Sequence, residues 1–136
     1  MNVADLESAA RTASSSRKAL WAGRLISALS VLFMLFDGVI KVMTVAPVVE
    51  AFARLGYPVS TALDIGILEL VCTVVYVIPR TSLLGAILLT GFLGGATATH
   101  VRVGSPFFFP LVVGVLVWGG LFLREERLRA LVPFRR

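Results

Sequence analysis

One cysteine, one histidine and few charges set the first limits on this chain. The lone Cys72 has no partner for an internal disulfide, and it excludes a C-x-x-C redox pair. The lone His100 excludes a bis-histidine haem or a histidine-rich metal site within one protomer. Charged residues fill 15% of the 136 positions, where a soluble domain of this size carries about 25%. Hydrophobic residues reach 57% and mean hydropathy is +0.91, so the chain reads as a membrane protein. Acids are scarcer than bases, eight against 13, which leaves a net charge of +5. The arginines cluster beside the ends of apolar runs and are not interleaved with aromatics. There they set orientation in a bilayer, which excludes nucleic acid as a partner and makes lipid the expected one. The opening MNVADLESAARTASSSRKAL contains acids and lacks a hydrophobic core before Leu20, so it is no signal peptide. Residues 1–19 are expected as a disordered or partly helical cytosolic lead-in.

What is present is four apolar segments, at about residues 21–43, 60–78, 82–101 and 106–123, followed by a basic cytosolic tail, 124–136. A helix rises 1.5 Å per residue, so about 20 residues cross a hydrocarbon core roughly 30 Å thick. The expected fold is all-α: a four-helix transmembrane bundle, residues 20–123 forming one membrane domain. On the first segment Ser27, Ser30, Met34, Asp37 and Lys41 recur at spacings of three and four, a polar stripe for the interior. Between the first two segments, Pro47 opens and Gly56 stops a short amphipathic surface helix. Val48, Val49, Phe52 and Leu55 form its apolar face, with Glu50 and Arg54 spaced to pair on the other. Tyr57 is placed as an interfacial anchor. On the third segment Gly91, Gly95 and Thr99 form a small-xxx-small stripe for close helix packing, within the chain or in a homo-oligomer. Lysine and arginine fall mostly on the side of the two termini, which places both in the cytosol.

Ionisable residues inside apolar segments carry the functional signal. Each costs roughly 2.5–3.5 kcal/mol at a bilayer centre, so by default such residues mark a site. Asp37 and Lys41 lie one helical turn apart. Asp64 and Arg102 fall near the outer ends of their segments, Glu69 lies deeper, and Thr97 with His100 shares an inward face of the third segment. The spacing thus predicts a polar pocket in the outer half of the bundle, drawn from Asp37, Lys41, Asp64, Glu69, Thr97, His100 and Arg102. Two readings stay open for this cluster: a ligand or proton site, or a structural network with snorkelling ends.

The runs FDGVIKVM, VVEAFARLGYP and GILELVCTVVYVIPRTSLLGAILLTGFLGGATATHVRVG resemble the DoxX-like family of small bacterial four-helix membrane proteins. The resemblance covers about residues 23–123. It rests on Gly38-x-x-Lys41, Glu69, the Ile78–Thr81 turn and Gly94-Gly95-Ala96-x-x-Thr99-His100. It implies the cytoplasmic (inner) membrane of a bacterium. The wider group includes a subunit associated with thiosulfate:quinone oxidoreductases and members linked to redox systems. A quinone role therefore needs bound quinone, a membrane or redox partner subunit, or both, since the chain has no self-contained redox or hydrolytic centre. Three functions compete: a small-molecule-binding membrane subunit, a structural or assembly protein acting through a partner, and a small transporter. Four helices enclose little space, which disfavours the last.

Overall fold

Asn2 starts the first helix. Its side chain accepts a hydrogen bond from the Asp5 amide at 2.9 Å, and the Asp5 carboxylate accepts one from the Asn2 amide at 3.2 Å. This reciprocal cap satisfies two of the orphan donors of a helix start. The computed structural model describes residues 2–131, without the side chains of residues 13–16. In it, α1 runs unbroken over Val3–Met43, 41 residues or about 60 Å. The lead-in is thus continuous with the first apolar segment, because its Ala, Leu, Glu and Arg are good helix formers and its start is capped. α1 stops at Thr44, whose left-handed backbone (φ 52) turns the chain and sends its amide back to the Ile40 and Lys41 carbonyls.

α2 covers Ala46–Leu55, with Pro47 in its first turn and Gly56 (φ 79) past its end. Val48 and Phe52 of its apolar face are buried against Ala62, while Glu50 and Arg54 are exposed and form no ion pair. α3 covers Thr61–Val77, and a 3-10 turn at Pro79–Thr81 leads into α4, Ser82–Arg102. α5 spans Phe108–Arg124, and the short α6 spans Glu126–Leu131, its Leu128 buried in the main core. Residues 132–136 of the expected tail lie outside the described residues. Helices make up the regular structure, and the long ones pack in a cycle, α1 on α3 and α5, α4 on α3 and α5. α1 and the Pro79–Arg102 stretch are long and apolar enough to cross a membrane.

Glycines decide where these helices touch. A Cβ on Gly23 would meet the Gly120 carbonyl at 2.7 Å, which seats α1 on α5. A Cβ on Gly66 would meet the Gly38 carbonyl and Lys41 Cβ at 2.9 Å, which seats α1 on α3. Gly85 lies directly against the Tyr76 backbone, pinning α4 to α3 beside their shared turn. Within the chain the expected stripe of Gly91, Gly95 and Thr99 makes no close helix contact: a Cβ on Gly91 or Gly95 would meet nothing within 4 Å, and the same holds for neighbouring Gly94. Close approach happens at glycines that no spacing rule singled out.

At the end of the bundle near the 3-10 turn, one hydrogen-bond chain crosses three helices. Tyr76 Oη donates to the Val117 carbonyl at 2.8 Å, so Ser27 Oγ donates to Tyr76 at 3.0 Å. Ser27 in turn accepts from Arg124 Nε at 3.1 Å. Three threonine hydroxyls on α3 and α4 close on their own helices: Thr73 onto Glu69, Thr90 onto Ala86, Thr97 onto Leu93. Such back-bonding satisfies a hydroxyl where water is absent. The outside is apolar: Leu25, Leu29, Leu32 and Phe36 on α1 are each more than 60% exposed, as is Val115 on α5. Apolar surface of this extent marks a lipid or protein contact.

Candidate functional site

The Gly38–Gly66 contact builds the site. With no side chain between the two backbones there, Lys41, three residues past Gly38, lies close enough to α3 to reach Glu69, three residues past Gly66. Lys41 Nζ donates to Glu69 Oε2 at 2.8 Å and to Asp37 Oδ2 at 2.5 Å, and stands 5.4 Å over the Phe92 ring. Glu69 is 0% exposed; Lys41 and Asp37 are partly buried. The second oxygen of Glu69, Oε1, is buried with no hydrogen-bond partner. An unmet buried acceptor costs about 1–3 kcal/mol, more for a charged group, so its presence in a folded chain calls for an explanation.

Beside this triad lies a cavity of about 510 Å³, within the size range of small-molecule sites. Phe33, Met34, Asp37 and Lys41 of α1, Ile65, Leu68 and Glu69 of α3, and Phe92, Ala96 and His100 of α4 contribute to its walls. Phe109, Pro110 and Val113 come from α5, and α2 closes the top with Ala51, Phe52 and Leu55. Phe33 and Phe109 meet edge to face, their centroids 4.9 Å apart. Polar groups are few amid apolar walls, which is the usual make-up of a ligand pocket.

The other candidates fall at different distances from this centre. His100 borders the cavity, and its Nδ1 lies 2.7 Å from the Ala96 carbonyl. Arg102 does not border it. Its Nη2 donates to the Leu55 carbonyl at 2.8 Å and its guanidinium stacks 5.6 Å from the Tyr57 ring, tying the end of α2 to α4. Asp64 is exposed in the first turn of α3, outside the cavity and the described ion pairs. Thr97 spends its hydroxyl on Leu93 and is absent from the cavity wall. Both lie on helices that line the cavity, but neither contributes to its wall. Tyr57, expected as an interfacial anchor, and Phe92, which the sequence did not single out, both border the cavity, and Tyr57 bonds Thr99 Oγ1 at 3.1 Å. The one signal for Tyr57 was its place directly after the Gly56 stop.

A helical chain with an apolar exterior, and a partly buried ionic triad beside a cavity, has the make-up of a membrane protein. Residues 25–120 match the DoxX-like family, and the chain belongs to that family. No curated protein and no solved structure matches it.

Proposed function

We propose that this chain is a four-helix transmembrane bundle of a bacterial inner membrane, both ends cytosolic, that binds a small molecule beneath α2. Glu69 carries the reading: a fully buried carboxylate at the edge of an apolar cavity, half of its hydrogen-bonding capacity unused. A ligand group that bonds Oε1 removes the cost of leaving it bare.

A quinone, the group that the family resemblance implies, matches the walls but not the free atoms. Both quinone carbonyls accept hydrogen bonds, and so does the bare oxygen of an ionised Glu69, so that form of the site offers a quinone no donor there. The second reading, a triad that only holds α1 to α3, draws on Lys41 already bonding both acids. Glu69→Gln separates the two. Under the binding reading the variant stays folded and loses the small molecules that co-purify with the wild type, seen by mass spectrometry. A folded Gln variant retaining them unchanged would reject the assignment of Glu69.

A further inference from the structure

The atoms around the cavity specify the chemistry of an occupant. Asp37 and Glu69 set two carboxylates against one ammonium, that of Lys41, a net of one negative charge when both acids are ionised. Among the described residues, two polar atoms of the cavity wall besides Asp37 Oδ1 have no partner inside the protein. One is Glu69 Oε1. The other is His100 Nε2: a carbonyl only accepts, so the Nδ1 bonded to Ala96 carries the proton, and in the tautomer so fixed Nε2 is an acceptor. The free atoms therefore call for a donor and the charge calls for a cation. The apolar walls are rich in rings, among them Phe33, Phe52, Phe92 and Phe109, and ring faces attract cations.

Access is written into α4. Gly85 against Tyr76, and Ser82 Oγ donating to the Tyr76 carbonyl at 2.8 Å, pin α3 to α4 beside the 3-10 turn. Further along α4, Gly91 and Gly95 border the cavity, are exposed, and have nothing within 4 Å of an added Cβ. That wall has no side chain to displace, and it faces the apolar exterior.

We propose that the cavity is a site for lipophilic organic ammonium ions, which enter past Gly91 and Gly95 and set their ammonium against Glu69. The proposal deepens the small-molecule reading above and rests on it. An ammonium brings N–H donors for the bare oxygen and the one positive charge that neutralises the triad. Without it, a proton on the triad supplies that charge, so each cation bound releases one proton and affinity rises with pH. The titratable groups around Glu69 are Lys41 and Asp37 on α1, Cys72 on its own helix, and His100 and Tyr57 at the cavity; α5 adds none.

The test uses the purified full chain in detergent and three probes of one skeleton: 4-phenylbutylamine, 4-phenylbutan-1-ol and 4-phenylbutanoate. Calorimetric titration at about pH 6 and about pH 8 keeps the amine charged throughout, since alkylammonium groups titrate near pH 10. The amine is expected to bind about tenfold or more tighter than the alcohol, a difference of one hydrogen-bonded charge, and the carboxylate not at all. Binding strengthens at the higher pH, and a series of buffers of different ionisation heat reads the released proton. Glu69→Gln weakens the amine about tenfold or more and removes the pH dependence. Gly95→Leu fills the glycine wall and abolishes binding without touching the triad, which keeps the proposal testable should the Gln variant misfold. Gly94→Leu, on an open position outside the cavity, leaves binding unchanged.

Equal affinity for alcohol and amine, or amine binding untouched by both Glu69→Gln and Gly95→Leu, overturns the ammonium assignment. If no probe binds but a co-purifying molecule is lost in Glu69→Gln, the ammonium assignment falls and the small-molecule reading stands. If nothing binds and nothing co-purifies, both fall.

Discussion

Lys41 is the residue on which the triad depends. Removing it leaves two carboxylates, one of them fully buried, with neither Coulomb partner nor donor. Breaking a buried ion pair by deleting one member costs roughly 3–5 kcal/mol, while replacing all members by apolar groups is often neutral. Lys41→Met is therefore expected to lower the melting temperature in detergent sharply, and the triple change Asp37→Leu, Lys41→Met, Glu69→Leu to recover most of it. A Lys41→Met variant as stable as wild type would show that the triad is solvated and contributes little. Tyr76 offers the contrast at the other end of the bundle. Tyr76→Phe removes one hydroxyl from the chain running from Arg124 through Ser27 to the Val117 carbonyl, at a cost of about 1 kcal/mol. It should leave ligand retention unchanged, since Tyr76 does not border the cavity.

At the scale of the helices, two kinds of glycine behave oppositely. Gly66→Val forces a side chain between α1 and α3, where a Cβ already meets backbone and Lys41 Cβ at 2.9 Å. Overpacking of this kind costs about 1–3 kcal/mol, and it moves Lys41 away from Glu69. Gly94→Ala meets nothing and should match or exceed wild-type stability, by up to about 1 kcal/mol from helix propensity. Melting temperatures of the two variants check the pair; equal losses would mean that helix spacing, not glycine contact, holds α1 to α3. α2 is held over the cavity by Val48 and Phe52 below and by Arg102 at its C-terminal carbonyl. Arg102→Ala should therefore raise amide hydrogen exchange across residues 46–57 while leaving α1 and α4 protected.

For the whole molecule the central question is which parts meet water on which side. α1 is about twice as long as a bilayer core requires, so in the proposed topology its first half projects beyond the membrane on the side of α6. In a Cys72→Ala background, cysteines at Glu7 and Arg127 are expected to react with an impermeant reagent only after the membrane is opened. A cysteine at Glu50 on α2 should react in intact cells. Labelling of Glu7 and Arg127 positions from outside would invert the proposed orientation.

The sequence by itself determined the elements. Apolar runs, the Pro47 and Gly56 punctuation and the Ile78–Thr81 turn place α2 to α5 and the end of α1 to within a few residues, because lipid and backbone hydrogen bonding leave a long apolar segment little choice but to be a helix, whereas the polar first half of α1 and the short α6 carry no such run. It also determined the inward stripe from Ser27 to Lys41 and the partnership of Asp37 with Lys41, both local consequences of a 3.6-residue period. The tertiary structure decided what lies opposite that stripe. Glu69 joined the triad and Asp64 did not, because the Gly38–Gly66 contact sets the rotation of α3 against α1, and no pattern within one helix encodes that angle. For the same reason Gly91 and Gly95 of α4 face open space at the cavity instead of a neighbouring helix. A repeat of small residues permits close approach, but only the partner's position determines whether anything approaches.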